Sequence, residues 1–553
     1  MNKMLSLFSS KMGASAVSPV CFLFIATVLL SGFNGELLWA EVSVIDGPKR
    51  ETADHHDRMS ARIDALIGKK WKTEKAEIAP RASNYEFLRR LHLDLTGIIP
   101  SVNDVHQMEL AGETWDRRAC AARLLQSSAA ATHLATSWRA RLLPEDFDLQ
   151  QIEQAEGLQR WLQQQFAANR RFDDLVADFL VASGTGQRGP GLFYTALETK
   201  PEKLAASTAR VFLGLQIQCA QCHDHPFDDW QQEEFWSYAA FFAQVRQDAS
   251  NQGDLVDLEK GDVLLPVSQQ VAVPKYPKGP QSRDEESGTR RRRLAIWMVS
   301  RDNPYLSRAT VNWAWAHLFG RGLVDPIDDF RASNPASHPE LLQELADYFV
   351  EIKFDLRQLL LTLTSTQAYG LSSIANNSSH EHPEWFSAMA TKVLTAEQLF
   401  DSLELIAGFD GQPLADVPTQ FFPQRRRDFI IRMRSSSHAA TDYDAGLSQA
   451  LLLMNGSEVA LATDLQQSRL LAALQAPFFS EDQRLETIFL AALSRPPTAG
   501  EIKLSQEFIA STVSETIPAD RNLANQGDPQ PVDQAYADIL WALVNSAEFI
   551  VNH

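Results

Sequence analysis

Apolar residues recur at three- and four-residue steps through most of the chain, the spacing of helices with one buried face. "NYEFLRRLHLDL" (Asn84–Leu95) is one such run, stopped at "TGIIPS" by Gly97 and Pro100. Asp104 is placed to cap a short helix, Trp115–Leu125 makes another, and "EGLQRWLQQQFAANRRFDDLVADFLVAS" reads as two helices broken near Asn169. From Pro201, "EKLAASTARVFLGLQIQCAQCH" keeps an amphipathic pattern that Pro226 ends, which predicts one continuous helix carrying Cys219, Cys222 and His223. "EEFWSYAAFFAQV" predicts the next helix.

Between Asn251 and Arg283 the pattern changes. Short β-like runs and prolines in "DVLLPVSQQVAVPKYPKGPQSRDEESG" predict a small hairpin or crossover and then a linker. Helical spacing returns at "RRRRLAIWMVSRD", whose four arginines read as a solvated face or as interdomain salt bridges. "DNPYLSRATVNWAWAHLFGRGLV" starts with Asn303-Pro304 and stops at Gly320 and Gly322; Ser337, Pro339 and Glu340 open a further helix. "QRRRDFIIRMRSSSHAATDYDAG" reads as irregular and basic. The predicted fold is mainly α, with two helical domains (55–250 and 285–553) joined by a short β-containing linker (251–284).

The bulk numbers narrow the class. With 553 residues, 44% of them hydrophobic and 22% charged, the chain is globular and too long for one ordinary core. A net charge of −19 argues against nucleic acid as a partner. At the N-terminus, Lys3 and Lys11 precede an apolar run from Val20 to Leu30, and Leu38-Trp39-Ala40 offers a cleavage end. Residues 1–40 therefore read as a signal peptide, with an uncleaved membrane anchor as the rival reading. The expected location is the periplasm or cell surface, with no transmembrane span after cleavage. Cleavage removes Cys21 and leaves Cys120, Cys219 and Cys222, an odd number that does not make a complete disulfide framework.

The candidate chemistry lies in "CAQCHDHPFDDW", Cys219 to Trp230. On a helix, Cys219, Cys222 and His223 would share one face. Cys-x-x-Cys-His is the spelling of covalent haem c attachment, two thioether anchors and an axial imidazole. Two other occupants stay open. Cys219 and Cys222 would suit a local disulfide, and the same thiols with His223 and His225 would suit zinc or another transition metal. Asp224, Asp228 and Asp229 are candidate acceptors that orient an imidazole from behind. His317, His338, His438 and Met454 are candidates for a sixth haem ligand by residue type alone. Neither G-x-S-x-G nor H-E-x-x-H occurs, so no hydrolase site assembles from spacing.

"NYEFLRRLHLDLTGIIPS" and "GLQIQCAQCHDHPFDDW" resemble the N-terminal cytochrome-c-like domain of unknown function named after planctomycete bacteria. "RRRRLAIWMVSRDNPYLSRATVNWAWAHLFGRGLVDPIDDFRASNPASHPELLQELADYF", "LLLMNGSEV", "LAALSRPPTAGE" and "ILWALVNSAEFIVNH" resemble its usual C-terminal companion, the planctomycete-specific domain. The resemblance implies an exported two-domain protein and carries no established activity. Many such proteins bear an extra cytochrome c domain, for which this chain shows neither a second motif nor room. The leading expectation is an exported c-type haem protein in electron transfer or redox chemistry, with a redox partner protein. The C-terminal domain would serve docking or substrate binding, with His317, Arg321 and Asp329 in its most motif-like segment. The alternative is a non-redox binding or scaffold protein stapled by a disulfide or metal, with Arg425–Arg434 facing an anionic glycan. The sequence leaves the oligomeric state open.

Overall fold

The computed structural model of the chain describes residues 47–144, 147, 152–185, 189–248, 254–282, 288–301, 303–374, 379, 381–408, 424–433, 447–516 and 530–553. The expected signal peptide, 1–40, and His438 lie outside the described residues. Asp54–His553 packs as one compact unit, distinct from Met1–Ala53.

The fold is mainly α, as the periodicity predicts. The first half runs α1 (Gly47–Glu74), α2 (Asn84–Thr96), α3 (Val102–Ala111), α4 (Arg117–Leu125), α5 (Ser128–Leu142), α6 (Ile152–Ala167), α7 (Phe172–Leu180), β1 (Gly184–Thr185), α8 (Gly191–Ala196), α9 (Pro201–Thr208) and α10 (Gln232–Ala239). Two antiparallel strands follow, β2 (Val245–Asp248) and β3 (Asp254–Asp257), and β1 pairs on the far side of β3. The second half holds α11 (Arg290–Met298), α12 (Leu306–Phe319), α13 (Pro339–Glu351), α14 (Leu356–Thr364), β4 (Lys392–Val393), α15 (Ala396–Ala407) and α16 (Gln424–Met433). It closes with α17 (Leu447–Asn455), α18 (Ser457–Thr463), α19 (Arg469–Leu474), α20 (Glu481–Leu493), α21 (Ala499–Thr516), α22 (Pro531–Val544) and β5 (Val551–Asn552), which pairs with β4.

Two apolar cores are packed into this unit. One gathers residues from Met59 to Met389, with Leu490 from further on, and so takes side chains from both sides of the β segment. The other gathers Leu394 to Phe549, together with Leu93 and Ile99 from the first half. α2 stands between them and is buried from Phe87 to Thr96. Its apolar stripe serves the first core, and its charged stripe, which pattern alone assigns to solvent, is buried as well. Burying charge is tolerable only where each group finds partners. Arg89 donates to the carbonyls of Ala492 (3.1 Å) and Phe549 (2.8 Å). Arg90 donates to the carbonyls of Tyr369 (2.7 Å) and Leu371 (2.8 Å) and pairs with Glu86 at 2.7 Å.

The four-arginine run splits in the same way. Arg291 is buried at 1% exposure, lies with its guanidinium 4.9 Å above the Tyr194 ring, and holds Asp257 of β3 through two bonds of 2.8 Å. Arg290 pairs with Asp262 at 3.0 Å. α11 is thereby bolted to the sheet, so Arg291 does not belong to a solvated face. Of the stretch read as irregular and basic, Gln424–Met433 is helical, and the rest lies outside the described residues. Arg426 holds Asp401 through two bonds of 2.8 Å, and Arg425 pairs with Glu404 at 3.1 Å and with Glu458.

Candidate functional site

The segment that delivers the cysteines is built differently from its predicted helix. α9 passes into one π-helical turn, Ala209–Leu213, and stops at Gly214. Gly214 adopts φ +68°, and a Cβ there would lie 2.5 Å from the Phe330 ring, so only glycine fits this bend. Phe330 returns a backbone hydrogen bond to the Gly214 carbonyl at 3.0 Å. The chain then alternates, burying Leu215 and Ile217 and exposing Gln216 and Gln218. A short 3-10 turn, Gln218–Gln221, carries Cys219, and Cys222 is its cap. Cys219, Cys222 and His223 therefore sit on an exposed turn and the loop after it, not along one face of a long helix.

Both thiols are exposed and free, while Cys120 is buried in α4. The His223 imidazole is exposed, and its Nδ1 lies 2.7 Å from the backbone carbonyl of Asp224. A carbonyl only accepts, so the proton is on Nδ1 and the Nε2 lone pair is available. His225 is the reverse case. Its Nδ1 accepts from the Phe227 N–H at 3.2 Å, which puts the proton on Nε2, the nitrogen a metal would take. Among the described residues, no three His, Cys, Asp or Glu side chains gather into a metal-holding group.

The three aspartates hold the loop and leave the imidazole to the backbone. The Asp224 carboxylate accepts from the Gln232 N–H at 2.8 Å, at the start of α10. Asp228 accepts from the N–H of Asp229 at 2.8 Å. The Asp229 carbonyl accepts from Lys278 at 2.5 Å. Lys278 also pairs with Glu234 at 2.8 Å and lies 4.4 Å from the buried Trp230 ring, a cation–π contact. From α10, the Gln232 side chain donates to the Cys222 carbonyl (2.6 Å) and the Trp236 indole to the Gln221 carbonyl (3.0 Å). The motif is thus pinned from α10 and from the β-containing segment, while its sulfurs and imidazole face outward.

The other named candidates go to separate places. The 325–331 segment abuts the motif arm: Asp328 accepts from Gln216 at 2.8 Å and lies 3.7 Å from Arg210. Beside it, Asp329 is buried with Arg331 at 3.1 Å, and Arg321 pairs with Asp325 at 3.1 Å. His317 is directed elsewhere. It is half-buried against Trp313 and His133, with Nε2 2.8 Å from the Asp94 carbonyl. His338 is buried at the start of α13 beside Ser337 at 3.1 Å. Met454 lies exposed on α17, its carbonyl bonded to the Trp541 indole at 3.3 Å.

One polar cluster has no counterpart among the predicted sites. The buried Asp94 carboxylate accepts from Lys392 (2.5 Å), Asn552 (2.6 Å) and the Tyr369 hydroxyl (2.9 Å). Lys392 also donates to the carbonyls of His317 (3.0 Å) and Leu318 (2.8 Å) at the end of α12. Burial lowers the Lys392 pKa and raises that of Tyr369 well above its ordinary value. Burial, with the charges of His317 and Lys392 adding to it, depresses His133 to about 3. Lys392, Tyr369 and Asn552 each bond the Asp94 carboxylate, and Lys392 the end of α12 as well, so the cluster reads as a structural clasp.

Family models match two stretches of the chain: PSCyt2, a protein of unknown function (DUF1549), over residues 62–247, and PSD1, a protein of unknown function (DUF1553), over residues 290–428. No curated protein and no solved structure matches the chain.

Proposed function

We infer that this chain, which belongs to the two-domain family pairing PSCyt2 with PSD1, is an exported c-type haem protein working in electron transfer with a redox partner protein. Cys219 and Cys222 would hold the haem as thioether anchors and His223 would ligate its iron. The observation that carries this reading is the pairing of two exposed free thiols with an imidazole whose Nδ1 is fixed by the Asp224 carbonyl. That hydrogen bond selects the tautomer an axial ligand needs and makes Nε2 a better donor. A structural zinc asks for a closed set of four ligands, and the Nδ1 of His225 is already taken by the Phe227 N–H.

A haem held there would cycle between two iron oxidation states and pass single electrons. The chain's own part is positioning. Gly214 aims the arm, Asp224 and Gln232 anchor the turn to α10, and Lys278 clamps the far end of the loop on Trp230. Phe227, 76% exposed beside Asp224, Asp228 and Asp229, gives a partner an apolar contact inside an acidic rim. In the segment the scaffold reading would turn to a glycan, Arg425 and Arg426 spend their charge on Glu458, Glu404 and Asp401.

The test is the visible spectrum of the mature chain, produced with a haem-attachment system and then denatured. A haem spectrum that survives denaturation and is lost on Cys219→Ala or Cys222→Ala supports the reading. A colourless protein with one equivalent of zinc, or one with oxidised thiols, overturns it.

A further inference from the structure

Two arginines, Arg81 and Arg117, come together at one groove without a carboxylate on either. With a net charge of −19, carboxylates are plentiful, and Arg90, Arg291, Arg426 and Arg495 all have carboxylate partners. Arg81 and Arg117 have none within ion-pair reach among the described residues. Both line a surface groove of about 380 Å³ at the N-terminal end of α2, with Ser83, Asn84, Glu113 and Trp115.

The groove is built around Arg117. Its guanidinium lies 4.3 Å above the Phe87 ring. One Nη donates to the Ala82 carbonyl at 2.7 Å and to the Asn84 side chain at 2.9 Å. Its Nε is buried with no hydrogen-bond partner. Trp115 packs edge-on against Phe87 at 6.2 Å and gives the groove an aromatic wall. Burial, with the nearby positive charges of Arg81 and Arg90, pulls the Arg117 pKa down to about 10. Glu86, the carboxylate that offsets this, is already committed to Arg90 (2.7 Å), the Ser372 hydroxyl (3.0 Å) and the Ser373 N–H (2.7 Å). The positive end of the α2 dipole adds to the excess. Two cations held close without an anion cost free energy that a bound anion would recover.

We propose that the Arg81–Arg117 groove binds a small oxyanion, a carboxylate or a sulfate group, with Arg117 as the pre-oriented donor and Arg81 as the second charge. Arginine pairs suit such planar or tetrahedral oxyanions because their N–H groups form a fixed fork. Trp115 would lie against the body that carries the charge, as aromatic faces do with sugar rings and other flat apolar surfaces. The site is independent of the cysteine motif and stands whether or not haem is attached.

Calorimetric titration of the full chain with sodium sulfate and with sodium glucuronate, in chloride at matched ionic strength, tests it. Saturable one-site binding is expected. Arg81→Gln, an exposed position that leaves the fold intact by far-ultraviolet circular dichroism, should weaken it by about tenfold or more, the worth of one charged hydrogen bond. Glu113→Gln should leave it unchanged or tighter. Sulfate alone binding identifies a sulfate ester as the natural group, and glucuronate alone a carboxylate. Binding of neither, or binding that Arg81→Gln does not weaken, overturns the proposal.

Discussion

The Asp94 carboxylate draws Lys392, Tyr369 and Asn552 from three distant stretches of chain onto one buried helix. Removing one member of a buried ion pair leaves the other uncompensated and costs about 3–5 kcal/mol. Lys392→Met should lose stability of that order in urea unfolding, and Asp94→Asn combined with it should recover part of the loss. The neighbouring His133 carries a pH signature. Its folded pKa, about 3, is below the unfolded value, so the unfolded chain binds more protons in between. Its contribution is full above about pH 6.5 and is lost as pH falls toward 3, at up to about 1.4 kcal/mol per pH unit. Urea midpoints measured from pH 7 to pH 4 should fall, less steeply in His133→Gln. Little of this cluster is legible in the sequence. The spacing of "NYEFLRRLHLDL" shows a helix with a charged stripe, but apart from Glu86 the groups that satisfy it lie about 280 to 460 residues further on.

Helices were the easiest elements to read, because apolar spacing and the packing that rewards it are both local. The arm that carries the cysteines was harder. Leu213, Leu215 and Ile217 are buried, with Gln216 and Gln218 exposed, a period of two inside a run that also satisfies a helical period. Gly214 decides between the two, since its positive φ ends the helix nine residues before His223. The spelling Cys-x-x-Cys-His was visible at once, whereas the carbonyl that fixes the His223 tautomer is a backbone atom and leaves no mark in the sequence. Gly214→Ala tests the bend. A forced left-handed alanine and a clash with Phe330 together should cost about 2–4 kcal/mol in thermal or urea unfolding.

At the scale of the whole molecule, the two family matches divide a unit whose core does not divide with them. The first core takes Leu294, Trp315, Phe349 and Leu360 from beyond the β segment, along with Phe87, Phe179 and Phe212 from before it. A fragment covering 54–282 should therefore lack a cooperative thermal transition and bind a hydrophobic dye, while 54–553 melts in one step. Among the described residues no helix is long and apolar enough to cross a membrane. On that frame the motif is a small outward-facing device, and its occupant is the claim on which the functional reading turns. The most direct measurement is the intact mass of the reduced, denatured mature chain after production with haem-attachment enzymes. The account predicts a gain of one haem on the wild type and none on Cys219→Ala/Cys222→Ala; an unmodified wild-type mass would contradict it.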